Sequence, residues 1–285
     1  MSNTHVVIQS PSLGTSLIEQ AAALASCEGV QRISHTAVRL LKVTDDAQTK
    51  QALTEWGEQQ TVDTAFIQAG ARLSDCKILA MDMDSTLINI ECIDEIAAFG
   101  GVKEQVSSIT EAAMRGEIKD FSESLTKRVA FLEGLPVEVL QSVYEQRLQL
   151  NPGAQALIDT AKHAGLKTLL VSGGFTFFTD KLKARLGLDA AHSNTLEQVN
   201  GRLTGRVLGR ILDAQGKANT LTAFAREHDV RPEQIIAMGD GANDLKMLAL
   251  AGYSVAYRAK PVVRAQARYA LNVAGLDGVL NWFEH

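Results

Sequence analysis

The strongest constraint in this sequence is a pattern used three times: a short, continuously apolar run that stops at a cluster of polar or acidic side chains. The runs are "KILAMDMD" (77–84), "LKTLLVSGG" (166–174) and "PEQIIAMGDGAND" (232–244). A strand apolar at every position has to be covered on both faces, which is the situation of a parallel strand flanked by helices. The helix "NPGAQALIDTAKHAG" (151–165) precedes the second run, and a helix from about Leu245 and the strand "GYSVAY" (252–257) follow the third. This alternation predicts an open, Rossmann-like α/β parallel sheet. In such sheets ligands bind beyond the carboxyl ends of the strands, where the strand order reverses. That edge would carry Asp82 and Asp84, then Ser172, Gly173 and Gly174, then Asp240, Asn243 and Asp244.

Two other regions interrupt or precede the alternation. Residues 93–150 read as a helical insertion centred on "EQVSSITEAAMRGEIKDFSESLTKRVAFLEG", and "NTLEQVNGRLTGRVLG" (194–209) carries the Asn-Gly of a hairpin between alternating residues. Residues 1–75 read as a small α+β unit: a strand at "HVVIQSP", a helix at "TSLIEQAAALASCEG", a strand at "VQRISHTAVRLLKV" and a helix at "TKQALTEWGEQQTVDTAFIQAG". The expected domains are therefore 1–75, a core of 76–92 with 151–285, and a helical domain of 93–150.

Composition narrows the function. Lys plus Arg is 28 against 33 for Asp plus Glu, a net charge of −5, which argues against a nucleic-acid partner needing a basic stripe. No apolar run approaches the about 20 residues of a membrane span, and the N-terminus has no basic region followed by an apolar stretch. Cys27, Cys76 and Cys92 are an odd number, widely spaced, and read as reduced thiols of a cytoplasmic protein.

Taken singly, a DxD pair reads as a turn or cap, "SGG" as an ordinary loop, and "GDGAND" as a surface turn. Three such clusters on one sheet edge point instead to phosphoryl transfer through a carboxylate, which splits one hard displacement into two easier ones. Asp82, ending its strand, is the natural nucleophile, and it needs a cation to stay ionised beside a phosphate dianion. Mg²⁺ suits hard oxygen donors and a substrate phosphate. Asp84, two residues on, is placed to act as general acid and base. Ser172 and the amides of Gly173 and Gly174 suit phosphate oxygens, Asp240 completes the metal shell, and Asn243 and Asp244 orient ligands. Lys217, in "GKANTL", is the candidate for neutralising the transferring group; its ordinary alternative is a solvated surface lysine.

"DMDST", "SGG" and "GDGAND", with a lysine before the last, resemble the motifs of the haloacid dehalogenase superfamily. The longer stretches "DMDSTLINIECIDE", "AMRGEIKDFSESLTKRV", "LLVSGGF", "GKANTL" and "GDGANDLKM" resemble, in order, the branch that hydrolyses O-phospho-L-serine. The resemblance runs from Lys77 to the C-terminus. It implies a small helical cap inserted after the first core strand, Mg²⁺ dependence, and the roles given above for Asp82, Asp84 and Asp240, with the backbone carbonyl of Asp84 also on the metal. It carries contact with the transferring phosphoryl group onto Ser172, Gly173, Lys217 and Asn243. Glu91 matches the residue that pairs the substrate ammonium and Arg128 the one that grips its carboxylate, a bidentate task suited to guanidinium. Phe121 and Met114 match apolar positions around the substrate. The N-terminal unit is similar to a truncated ACT-type module, for which a stabilising or homodimer-forming role is expected. A phosphotransferase acting on a small alcohol and a serine-sensing protein are the alternative functions.

Overall fold

The computed structural model describes residues 3–115, 117, 118 and 120–284, with the side chain of Met114 outside that description. The N-terminal region folds as β1 (Thr4–Gln9), α1 (Thr15–Ala25), β2 (Gly29–Arg32), β3 (Ala37–Leu41), α2 (Ala47–Gln60) and β4 (Asp63–Gln68). Its sheet is antiparallel in the order β2-β3-β1-β4. This corrects the sequence reading twice. The stretch read as one strand is a hairpin, because Ser34 and Thr36 pair hydroxyls and turn the chain between β2 and β3. The stretch read as one long helix ends at Gln60, where Thr61 takes a left-handed conformation at φ 56°. Beyond it, buried Asp63, Ala65 and Ile67 alternate with more exposed neighbours, which is strand periodicity.

The remaining chain builds a seven-stranded sheet. In chain order the elements are β5 (Ile78–Met81), α3 (Cys92–Phe99), α4 (Lys103–Met114), α5 (Phe121–Ala130), α6 (Glu138–Gln146), α7 (Ala154–His163), β6 (Lys167–Phe175) and α8 (Thr176–Leu186). Then come β7 (Ala190–Val199), β8 (Arg202–Leu208), α9 (Ala214–Glu227), β9 (Ile235–Gly239), α10 (Leu245–Leu248), β10 (Tyr253–Tyr257), α11 (Pro261–Arg264) and β11 (Tyr269–Leu271). The spatial order is β11-β10-β9-β5-β6-β7-β8, parallel throughout except for β8, which returns antiparallel to β7 through Asn200-Gly201. From β5 the chain proceeds to β6 on one side and later to β9 on the other, so the order reverses at β5.

Both faces of this sheet are covered, as the unbroken apolar runs require. Ile78, Ala80, Leu169, Val171, Ile235 and Ala237 pack on one side. Leu79, Met81, Leu170, Ile236 and Met238 pack on the other, within a larger core. The N-terminal sheet is split in the same way. Val6, Ile8, Val38 and Leu40 pack with α1 and α2, whereas Val7, Ala65 and Ile67 join the larger core. The junction is also polar: buried Asp63 accepts backbone N–H bonds from Asn272, Val273 and Ala274 at 2.7, 3.1 and 2.8 Å. Buried Arg39 donates to the carbonyls of Asn281 and Phe283 at 3.2 and 2.9 Å. Among the described residues no helix is long and apolar enough to cross a membrane.

Candidate active site

Asp82 is the first residue past β5, held in extended conformation by its amide, which donates to the Met238 carbonyl of β9 at 3.0 Å. The chain then turns sharply. Ser85 sits at φ 57°, a strained value for a residue with a side chain, and Asn151 staples the turn by donating to the carbonyls of Thr86 and Ile88 at 2.8 and 3.0 Å. This turn brings Asp84 back toward the strand end and starts α3 at Cys92, with Glu91 at its N-cap.

Lys217 is fully buried and bridges two acids, its Nζ donating to Asp82 Oδ1 at 2.6 Å and to Asp244 Oδ1 at 2.7 Å. Its solvated alternative is thereby excluded. Burial works against its charge, yet the Asp244 and Asp82 carboxylates outweigh that and hold the ammonium above its usual range. Asp244 has its other oxygen on the backbone N–H groups of Asp240 and Gly241, at 3.2 and 3.1 Å. Gly239 makes this possible, since a Cβ there would lie 2.5 Å from the Asp244 carboxyl carbon. Asp240 is oriented by Thr86, whose hydroxyl donates to it at 3.1 Å.

One oxygen from each of Asp82, Asp240 and Asp244 lies within 4.8 Å of the others, all three residues buried. Burial first, then the neighbouring Asp244 charge, lifts Asp82 to about 7 and Asp240 well above the carboxylate range. Asp84 is lifted to about 6 by burial, against hydrogen bonds from Cys92 and the positive charge of Lys217. Hard oxygen donors, mutually repelling and shielded from water, fit a small divalent cation. Asp244 is committed to Lys217 and two amides, which leaves Asp82 and Asp240 to bind one.

From β6, buried Ser172 accepts the Gly174 amide on its Oγ at 2.8 Å. That amide, expected to face a phosphate, is therefore already engaged. Asn194 of β7 fixes the neighbouring segment, donating to the Gly173 carbonyl at 2.8 Å and accepting from the Leu212 amide at 2.7 Å. A Cβ at Gly173 would come within 2.7 Å of the Phe121 ring, so glycine there lets the tip of that ring rest against β6. The resulting cleft encloses about 580 Å³ of empty space, its open mouth included, and is lined by Asp82, Asp84, Ser172, Gly173 and Asn243 from the sheet edge. Glu91, Phe121 and Arg128, from the helical segment between β5 and β6, also line it. Glu91, raised well above its usual range by burial and by the charge of Asp84, accepts from the Ser85 hydroxyl at 2.5 Å. Met114 lies outside the described side chains. The structure thus brings Asp82, Asp84, Glu91, Arg128, Ser172, Gly173 and Asn243 around one hollow. Lys217, expected on the transferring group, does not line it and is held on Asp82 and Asp244, and Asp240 and Asp244 lie beside Asp82 without lining it. Sequence reasoning missed Ser85, Thr86, Asn151 and Asn194, which support the site without belonging to the strand-end clusters; only the Asn-Pro-Gly at 151–153 carried a visible turn signal.

A parallel sheet whose order reverses beside two strand-end carboxylates and a buried lysine defines a class. The family model for haloacid dehalogenase-like hydrolases matches residues 79–249, and the chain belongs to that family. A second model, a domain of unknown function, matches residues 6–51. The phosphoserine phosphatase of a Polaromonas species is 56% identical over 213 residues, covering 73% of this chain and 90% of its own. The crystal structure of a probable phosphoserine phosphatase from Vibrio cholerae, 39% identical, superposes with a TM-score of 0.82 over 98% of this chain and 86% of that one. A haloacid dehalogenase family hydrolase from Salmonella enterica serovar Typhi reaches a TM-score of 0.89 at 34% identity, covering 99% of both chains. Further curated relatives, from Albidiferax ferrireducens at 52% identity and Archaeoglobus fulgidus at 45%, are phosphoserine phosphatases as well.

Proposed function

We infer that the protein hydrolyses O-phospho-L-serine to serine and phosphate through an aspartyl phosphate on Asp82. The observation that carries this reading is a single cleft lined by the acids Asp82 and Asp84 together with Glu91 and Arg128, with the buried Lys217 bonded to Asp82. Asp82 and Asp240, with the backbone carbonyl of Asp84, would hold Mg²⁺. Once bound, Mg²⁺ supplies positive charge that keeps Asp82 ionised beside the phosphate and offsets charge developing on the phosphoryl oxygens. Lys217 holds one oxygen of Asp82 and leaves the other to attack phosphorus. As the P–O bond to serine breaks, Asp84 gives its proton to the departing oxygen; in the second step it takes a proton from the water that attacks the phosphoaspartate. A carboxyl lifted to about 6 serves both directions near neutral pH. Ser172, Gly173 and Asn243 contact the transferring group.

The substrate head group carries one ammonium and one carboxylate, which Glu91 and Arg128 read from opposite ends of a short reach. Helices α3–α6, inserted between β5 and β6, act as a cap of residues 93–150 over a core of 76–92 and 151–285, excluding water during transfer. The region 1–75 is an ACT-like unit whose role is structural, supported by the buried Asp63 and Arg39 contacts that lock it to the C-terminal segment. It offers a route to a homodimer. Three unpaired thiols suit the reducing cytoplasm.

Phosphate release from O-phospho-L-serine, measured with Mg²⁺ and with chelator, tests the reading. Turnover is expected only with the metal, and none from Asp82→Asn at unchanged thermal stability. Phosphate release by that variant would refute the nucleophile.

A further inference from the structure

Arg128 is an unusual cation: it is 4% exposed, and its guanidinium sits in the cleft with the acids Glu91 and Asp84 nearby. Both of those acids have tasks in the reaction. A third acid, Asp94, also acts on Arg128 but does not line the cleft. It belongs to the first turn of α3, within "ECIDE", and is 9% exposed. Between the two stands Thr110 of α4, 2% exposed. Its single hydroxyl proton has two acceptors in reach, Asp94 Oδ1 at 2.9 Å and the Val106 carbonyl at 3.1 Å, of which the carboxylate is the nearer and the stronger. The oxygen accepts from Arg128 Nη1 at 3.0 Å, while Arg128 Nε points to the Ser124 carbonyl at 3.4 Å.

A guanidinium has five N–H donors. One is taken by Thr110 and one faces Ser124. Among the described residues the other three, on Nη1 and Nη2, have no hydrogen-bond partner, and they form the edge of the fork that a carboxylate uses. The hydroxyl is also polarised in the useful sense: by donating to a carboxylate it becomes a better acceptor for the guanidinium. Three consecutive elements of the helical segment, α3, α4 and α5, are thereby tied together through one oxygen.

We propose that Thr110 and Asp94 are positioning residues for substrate specificity, an acid–hydroxyl relay that sets the rotamer of Arg128 so that its free edge meets the substrate carboxylate. The inference rests on the assignment of Arg128 as the residue that grips that carboxylate. It assigns Asp94 a function outside the chemical step, and it makes α4 part of the recognition of the amino-acid head group.

The experiment compares kcat/KM for O-phospho-L-serine with kcat/KM for p-nitrophenyl phosphate, which has no such head group. The full-length wild type, Thr110→Val, Thr110→Ser, Arg128→Ala and the Thr110→Val/Arg128→Ala double variant are each assayed with Mg²⁺. Losing one charge-assisted hydrogen bond should lower the ratio about ten- to a hundredfold in Thr110→Val, mainly through KM. Thr110→Ser should restore the ratio, since it keeps the oxygen. Arg128→Ala should lose at least as much, and the double variant should lose no more than Arg128→Ala alone, because the two residues act as one unit. A ratio unchanged in Thr110→Val overturns the relay, whether or not both activities fall together. So does an equal further loss in the double variant. If Arg128→Ala itself keeps the wild-type ratio, the carboxylate assignment fails and the relay with it, an outcome that the Thr110 arms cannot mimic.

Discussion

Replacing Lys217 by methionine removes the one cation placed between two buried carboxylates while keeping much of the side chain's volume. Two ion pairs disappear, at 2.6 Å to Asp82 and 2.7 Å to Asp244, from a site where the lysine is fully buried. Removing one partner of a buried pair costs about 3–5 kcal/mol, because the other charge is left uncompensated. For a chain of this size each kcal/mol lowers Tm by about 2 °C, so a loss of about 6–10 °C is expected. The lower end applies near neutral pH, because Asp82 already stands at about 7 and can take up a proton once the lysine is gone. With Mg²⁺ bound Asp82 is ionised, and the lost stabilisation of developing phosphoryl charge, worth about 100- to 1000-fold for a single preorganised donor, should lower kcat by about that factor. Calorimetry and steady-state phosphate release on one preparation measure both effects. A variant retaining near-wild-type kcat, or losing kcat with no change in Tm, would show that Lys217 does not couple the two acids.

Two further outcomes follow from the geometry. Gly173→Ala places a methyl group 2.7 Å from the Phe121 ring, so the ring has to withdraw from the cleft. KM for the substrate should rise, and the additional substitution Phe121→Leu should recover part of it; a Gly173→Ala protein with wild-type KM would mean that the ring and β6 do not need this approach. The metal-free protein should lose stability as pH rises from about 4 to 7, since Asp82 holds its proton up to about 7 when folded but near the ordinary value of about 3.9 when unfolded, so the folded state binds more protons in that window. Mg²⁺ binds the ionised form, and the gain in Tm over chelator should therefore grow with pH; a gain that shrinks toward neutral pH would contradict the assignment of Asp82 as a ligand.

Much of this arrangement is legible in the amino-acid sequence, for a definite reason. A central parallel strand is apolar along its length and polar where it leaves the sheet, so β5, β6 and β9 announce both their positions and the acids at their tips. Other features are not legible there. Lys217 stands out in the sequence only through the resemblance carried by "GKANTL"; its place between Asp82 and Asp244 with zero exposure is read from the structure alone. Asn151, Asn194, Thr86 and Thr110 are common polar residues whose bonds to the site span long stretches of chain, from 16 positions for Thr110 to Asp94 to 154 for Thr86 to Asp240. The hairpin at 29–41 escapes a sequence reading because its turn, Ser34 to Thr36, lacks glycine and proline and is made by hydroxyl contacts.

The sequence by itself determined the local order: where strands run, where they end, and which carboxylates wait at those ends, because period and composition act over a few neighbouring residues. Tertiary structure alone decided which of these groups share charge. Burial and convergence from distant segments turned a lysine into a counter-ion, lifted Asp82 to about 7 and Asp84 to about 6, and brought α5 close enough for Phe121 to touch Gly173. Electrostatics in a site screened from water depends on distances through space, and those exist only once the chain has closed on itself.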